Sequence, residues 1–297
     1  MRYSRAVAGH PALPYVLLLP AIAIGGTVLI YPLVNGFVLS FTSFKLFDPR
    51  YTWVGFENYL RNFQNPIYWE IFSNSITIVF SAVIFQLLFG LAVALALNQP
   101  IRGRALFRGL VFLIWIIPEI VVALLWMIMY NSEFGILNFI LREAGVVTEF
   151  VNWLGDPIPA QLSLIIVYAW RGIPFFMVMI LAALQTVPTA VVDAAKIDGA
   201  NAPQRFWIIV MPFIRDIVIL CCLLSSVRLF QDITQIFILT NGGPIYSTTT
   251  LAMHVYKQAF VAYQMGDAAA VGVTWLLFLF ILAILYIRLV TKGGFQR

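Results

Sequence analysis

The sequence predicts an all-α integral membrane protein with six transmembrane helices and both termini cytoplasmic. Three observations carry this. Hydrophobic residues make up 62% of the 297 and charged residues only 10%, whereas a soluble globular domain carries about 25% charge. The apolar residues fall into long runs with few charges, of the length of about 20 residues that a helix needs to cross the hydrocarbon core. The basic residues then divide unequally between the two sides that these runs define. Backbone polar groups in lipid must pair internally, so such runs are read as helices. The alternation over about 10 residues that marks barrel strands is not seen.

The spans are expected at 14–37, 71–97, 110–130, 162–184, 217–239 and 268–287. The first lies in a stretch from Ala6 to Phe44 without Asp, Glu, Lys or Arg. That stretch is too long for a signal-peptide core and lacks a clear small-residue cleavage site, so it reads as an uncleaved first helix. The third contains Glu119, the fourth Arg171, and the fifth Arg228 and Asp232. With these boundaries, eleven basic residues lie on one side: Arg2, Arg5, Arg102, Arg104, Arg108, Lys196, Arg205, Arg215, Arg288, Lys292 and Arg297. Five lie on the other: Lys45, Arg50, Arg61, Arg142 and Lys257. The richer side is cytoplasmic by the positive-inside rule. The net charge of +5 thus belongs to cytoplasmic loops and implies no nucleic-acid partner.

The external segment 45–70 is rich in aromatics (Tyr51, Trp53, Phe56, Tyr59, Phe63, Tyr68, Trp69). Two readings stand together: an interfacial belt and a docking face for an external partner. No Gly-Lys pair occurs, so the phosphate-binding loop of an ATPase is absent. No Ser/His/Asp set has catalytic spacing, and the two histidines, His10 and His254, receive no role. The adjacent Cys221 and Cys222 have no metal-site spacing and read as apolar packing. The chain is therefore expected to be no enzyme and to hold no metal or cofactor.

The cytoplasmic stretch 185–215 reads as a helix, a turn and a second helix. Pro188 suits a first helical turn. Val191, Ala194 and Ala195 make a small apolar face. Gly199 is a helix stop, because glycine accepts the left-handed backbone. Asn201 with Gln204 has the spacing of a capping box, and Pro212 is expected to end the second helix before span five.

Charges inside a span cost about 2.5–3.5 kcal/mol or more on insertion scales and normally face protein or water. Arg228 and Asp232 are four residues apart, hence on one helix face, with Gln231 and Gln235 beside them. Asp232 suits sugar hydroxyls, and Arg228 suits a carboxylate or phosphate. An internal Arg228–Asp232 ion pair that only stiffens the bundle is the other reading. Glu119 beside Pro118 is a lesser candidate, for the pathway or for a kink.

Residues 193–212 resemble the EAA loop of ABC import permeases: Glu-Ala-Ala, three residues, Gly, nine residues, then Ile-x-Leu-Pro. Here the match is Asp193-Ala194-Ala195, Gly199 and Ile209-Val210-Met211-Pro212, with Asp for Glu and Met for Leu. Gly55-Phe56-Glu57-Asn58-Tyr59, Asp198-Gly199-Ala200 and Leu239–Pro244 followed by Thr248-Thr249-Thr250 are similar to stretches of the sugar-importer branch (maltose-type and glycerol-phosphate-type).

The resemblance implies the type I ABC importer permease fold over residues 1–297 as a single permease domain, with 185–215 as its coupling loop. It implies a multi-pass protein of the plasma (inner) membrane, partnered by a second permease subunit, an ATPase subunit dimer that binds the ATP and Mg, and an external solute-binding protein. A sugar or sugar derivative would be the cargo. Asp193, Ala194, Ala195, Asp198, Gly199 and Pro212 would couple to the ATPase. Tyr168-Ala169-Trp170-Arg171-Gly172-Ile173-Pro174-Phe175 resembles the substrate-contacting stretch of maltose-type permeases. Tyr168, Arg171, Gly172 and Phe175 on span four, and Gln231, Asp232 and Gln235 on span five, would then contact substrate. Aromatic rings suit sugar faces, although plain packing accounts for Tyr168 and Phe175 equally. Gly172 and Pro174 are expected to open the helix locally. The two intramembrane arginines hint at an acidic or phosphorylated cargo. An ion-gradient-driven secondary transporter is the alternative, and it gives no reason for the EAA spacing.

Overall fold

The computed structural model describes residues 13–48 and 50–294. Arg2, Arg5, His10 and Arg297, which entered the sequence reading, lie outside the described residues. The secondary structure is helical: α1 Tyr15–Leu39, α2 Glu57–Gln64, α3 Pro66–Asn98, α4 Arg104–Ile116, α5 Glu119–Met129, α6 Ile136–Glu143, α7 Pro157–Leu184, α8 Thr189–Ile197, α9 Ala202–Gln231, α10 Thr234–Leu239, α11 Leu251–Phe260 and α12 Met265–Gly294. Extended pairing among the described residues is limited to the isolated bridges Thr42↔Trp53 and Lys45↔Asp48. Helices α1, α3, α7, α9 and α12 are each long and apolar enough to cross a membrane. The third expected span is instead a bent pair, α4 and α5, set at 95°. Proline causes the break. Pro118 has no N–H to donate, and Ile117 before it is driven to an extended backbone (φ −63, ψ 128), as pre-proline sterics require.

Proline acts differently in α1 and α9. Each contains a π-helical stretch, Gly26–Ile30 and Arg205–Val210. In each, a proline stands two residues after that stretch, Pro32 and Pro212. A widened turn offsets the missing N–H and eases the clash of the ring with the carbonyl four residues back. The helix therefore passes through. The expectation that Pro212 ends a helix is corrected: α9 runs unbroken for 30 residues from the loop into span five.

Two compact units emerge: the chain up to Gln64 with Val255–Thr274, and Asn65–His254 with the chain from Trp275. The first is organised by Asn58, which is buried. Its Nδ2 donates to the carbonyls of Ser40 and Thr42, both at 2.9 Å. Its Oδ1 accepts from Arg61 at 2.7 Å, and Arg61 pairs with Asp267 at 2.5 Å. Tyr59 Oη and Ser40 Oγ share a bond of 2.6 Å. Phe41 stacks on Trp53 at 5.5 Å, yet Trp53 and Phe56 keep two thirds of their surface exposed. An exposed aromatic patch with a hydrogen-bonded floor fits both readings of this segment.

In the second unit α3 and α7 pack along each other. Close approach rather than apolar burial holds helices together in lipid, and two glycines permit it. A Cβ on Gly90 would meet Phe176 Cβ, and one on Gly172 would meet the Gln86 side chain. Gln86 is fully buried and satisfied: Nε2 donates to the Tyr168 carbonyl at 2.8 Å and Oε1 accepts from Ser225 Oγ on α9. One amide thereby joins three helices. Trp275 on α12 donates Nε1 to the Phe230 carbonyl at 3.3 Å and meets the Phe230 ring edge-on at 4.9 Å. The external segments are folded, not loose. Asn138 bonds Val151 in both directions and accepts from Trp153 Nε1. Thr248, Thr249 and Thr250 are buried. Thr248 and Thr249 donate to the carbonyls of Gly243 and Gly242, each at 2.7 Å.

Candidate functional site

The ionisable residues of spans three, four and five converge where two helices break. The α4/α5 break presents Glu119 in the first turn of α5. Span five breaks after Gln231: Asp232 is extended (φ −74, ψ 128), and its Oδ1 accepts the N–H of Thr234, the first residue of α10, at 2.7 Å. Helix α7 runs past both breaks without interruption, Pro174 included. The expected local opening at Gly172 and Pro174 is thus corrected. The Gly172 position serves the close approach of Gln86 instead.

Expected partners also change. Arg228 and Asp232 do not share a helical face, because the helix ends between them, and no ion pair joins them within 4.0 Å. The pair that forms is Arg171 Nη1 to Glu119 Oε1 at 2.6 Å. The Glu119 carbonyl in turn accepts from Gln235 Nε2 at 3.2 Å. Glu119, Arg171, Arg228, Gln231, Asp232, Ile233 and Thr234 line a cavity of about 310 Å³. Behind its wall the Tyr168 hydroxyl faces the Asp232 carboxylate, whereas Gln235 Oε1 and Arg171 Nε are buried without a formed hydrogen bond, and such atoms normally require a partner.

A second cavity of about 140 Å³ is lined by Gln86, Trp115, Gly172, Phe175, Leu224, Ser225 and Arg228. Arg228 borders both. Helix α7 descends toward the cytoplasmic side and α9 rises from it, so the charged cavity lies on the external side of Arg228 and the aromatic one on the cytoplasmic side. Trp115 and Phe175 approach with ring centroids 6.4 Å apart. Arg171, Arg228, Gln231 and Asp232 therefore line the first cavity, Tyr168 and Gln235 are buried behind it, and Gly172 and Phe175 line the second. Sequence reasoning undervalued Glu119 and missed Gln86 and Trp115. Glu119 was visible as the single acid of its span. Gln86 sat in a charge-free run, where only a search for neutral amides finds it.

The cytoplasmic loop has the expected stop and start. Gly199 has φ +81, a conformation costly for any residue with a Cβ. The Gly199 N–H bonds the Lys196 carbonyl at 3.1 Å, and the Ala200 N–H bonds the Ala195 carbonyl at 2.9 Å, which is the Schellman pattern. Asn201 and Gln204 form a reciprocal capping box, with bonds of 2.8 and 2.9 Å. Pro188 is the N-cap of α8, one position before the expected first turn. Asp193 pairs with Lys196 at 2.8 Å on the exposed surface. Ala195 is buried against its own chain rather than on the free face, which carries Val191, Ala194 and Ile197, the last 87% exposed. Asp198 is exposed at the helix end.

Residues 86–292 match the family described as binding-protein-dependent transport system inner membrane component. The chain belongs to that family. It is a multi-pass inner-membrane permease subunit. It is 32% identical to the trehalose/maltose transport system permease protein MalF of Thermococcus litoralis, covering 100% of this chain and 97% of the relative. It is 30% identical to the sn-glycerol-3-phosphate transport system permease protein UgpA of Pectobacterium atrosepticum, covering 98% of both. The permease fold is also that of a chain in the crystal structure of a bacterial alginate ABC transporter in complex with an alginate pentasaccharide-bound periplasmic protein. The TM-score is 0.79 at 20% identity, over 96% of each chain.

Proposed function

We propose that this permease is one of two membrane-spanning subunits of an ATP-driven importer that carries a sugar or sugar derivative handed over by an external binding protein. A pair of ATPase subunits would grip residues 193–212 from the cytoplasm. The names of the relatives support a sugar-type cargo, since trehalose, maltose and glycerol phosphate stand among them.

The observation that carries the reading is the continuity of α9. Its cytoplasmic end begins at the capping box beside the exposed helix α8, and its other end stops at Asp232, in the wall of the charged cavity. A 30-residue helix spans about 45 Å at 1.5 Å per residue. Displacement of α8 by an ATPase would reach Arg228, Gln231 and Asp232 as a rigid-body motion. Tyr168, Arg171, Gly172, Phe175 and Gln235 would complete the substrate path. Asp193, Ala194, Asp198 and Gly199 would form the handle, with the buried Ala195 seating it on the rest of the chain and Pro212 lying within the helix that leaves it. An imported cargo shifts such a machine only through differential affinity for its states, which requires polar groups that change partners. The unpaired atoms beside the cavity are of that kind.

The test is uptake into proteoliposomes that contain the complete complex. Accumulation that requires both ATP and the binding protein, and that survives collapse of proton and sodium gradients, is the expected result. Accumulation driven by an ion gradient without ATP overturns the reading in favour of a secondary transporter.

A further inference from the structure

We propose that the charged cavity selects an uncharged polyhydroxylated solute, and that Glu119 is the residue that imposes this selection by neutralising Arg171. The inference rests on the reading above, in which this cavity lies on the substrate path. Two guanidinium groups within the membrane spans, taken alone, point to an anionic cargo. The geometry reverses that expectation. Arg171 is already held by Glu119 at 2.6 Å, and Arg228 shares the cavity wall with Asp232. The wall thus carries two positive and two negative groups.

A carboxylate or phosphate entering it would have to displace Glu119 or lie beside Asp232, and like charges at close range in a medium of low dielectric repel strongly. What the wall itself presents is a mixed set: the carboxylates of Glu119 and Asp232 accept, the Gln231 amide does both, and the two guanidinium groups donate. Hydroxyl groups both donate and accept, so several on one ring satisfy such a set without bringing a charge. The neighbouring aromatic cavity with Trp115 and Phe175 suits the apolar face of the same ring.

The test uses the complete complex in nanodiscs and saturation-transfer NMR at millimolar concentrations of neutral sugars (maltose, trehalose, sucrose) and acidic ones (glucuronate, galacturonate). The unsubstituted complex is expected to give signals from at least one neutral sugar and not from the acids. In Glu119→Gln the acid-to-neutral ratio should rise about tenfold or more, the worth of one charge-assisted bond. The double variant Glu119→Gln/Arg171→Gln, which removes the freed cation as well, should return the ratio to its starting value. That return excludes a mere folding defect. Acid binding to the unsubstituted complex, or an unchanged ratio in Glu119→Gln, overturns the proposal. Loss of binding-protein-dependent uptake by the unsubstituted complex overturns instead the reading on which it rests.

Discussion

Glu119 and Arg171, 52 residues apart in the chain, meet at 2.6 Å where the first turn of α5 faces the unbroken α7. The pair fastens the bent third span to the fourth. The Arg171 side chain is 12% exposed and that of Glu119 33%, so water screens the bond only partly. Removing one partner strands the other charge, which is costlier than removing both. Arg171→Ala is expected to destabilise the assembled complex by about 1–3 kcal/mol, read as a lower thermal unfolding midpoint in detergent. Arg171→Ala/Glu119→Ala should regain most of the loss. A double variant as unstable as the sum of the singles would show that the two do not interact.

Gly172 and Gln86 form a second such relationship, steric rather than electrostatic. A methyl group at 172 runs into the Gln86 side chain, whose amide ties the Tyr168 carbonyl to Ser225. Overpacking of this kind costs about 1–3 kcal/mol. Gly172→Ala should lower the unfolding midpoint and reduce uptake together, because Gln86 must leave its bonds. Gln86→Ala in the same chain makes room for the methyl group but strands Ser225, so recovery should be partial. Full stability of Gly172→Ala alone would refute the tight contact.

The physical reasons for what was legible in the sequence now separate cleanly. The spans were visible because lipid demands apolar runs, and Gly199 and Asn201–Gln204 because caps are local. Each depends on residues within a few positions. The behaviour of proline was not visible at that range. Pro118 breaks a helix, Pro174 sits inside one, and Pro32 and Pro212 each follow a π-helical stretch. The same residue type gives three outcomes, which its immediate neighbours in the chain do not announce. The partner of Arg171 was hidden for a related reason. Spacing along a helix singled out Arg228 and Asp232, but the break at Asp232 voided that spacing, and the real partner lay on another span.

Gly199 tests the coupling loop through backbone geometry alone. It has φ +81, and nothing lies within 4 Å of the place a Cβ would occupy, so any effect of substitution is conformational rather than steric. A β-branched residue in this region costs about 1–3 kcal/mol, whereas asparagine tolerates it. Gly199→Val should insert and assemble but lose ATP-driven uptake. Gly199→Asn should keep most of it. Equal uptake by both variants would remove the left-handed turn from the coupling path.

Pro212 offers the sharpest test of α9 as a rod. Alanine there supplies the missing N–H, and the π stretch Arg205–Val210 then has no reason to persist. Reversion to α-helical bonding removes the extra residue held in the wide turn. This rotates the loop by about 100° relative to Arg228 and Asp232, since each α-helical residue advances by one part in 3.6 of a turn. Pro212→Ala is expected to keep its fold and its stability, because alanine is a better helix former than proline. It should nonetheless uncouple ATP hydrolysis from uptake. Spin-label distances between the loop and the external end of α9 would report the rotation directly. Unchanged distances with unchanged coupling would mean that the π stretch is set by its own residues and not by the proline.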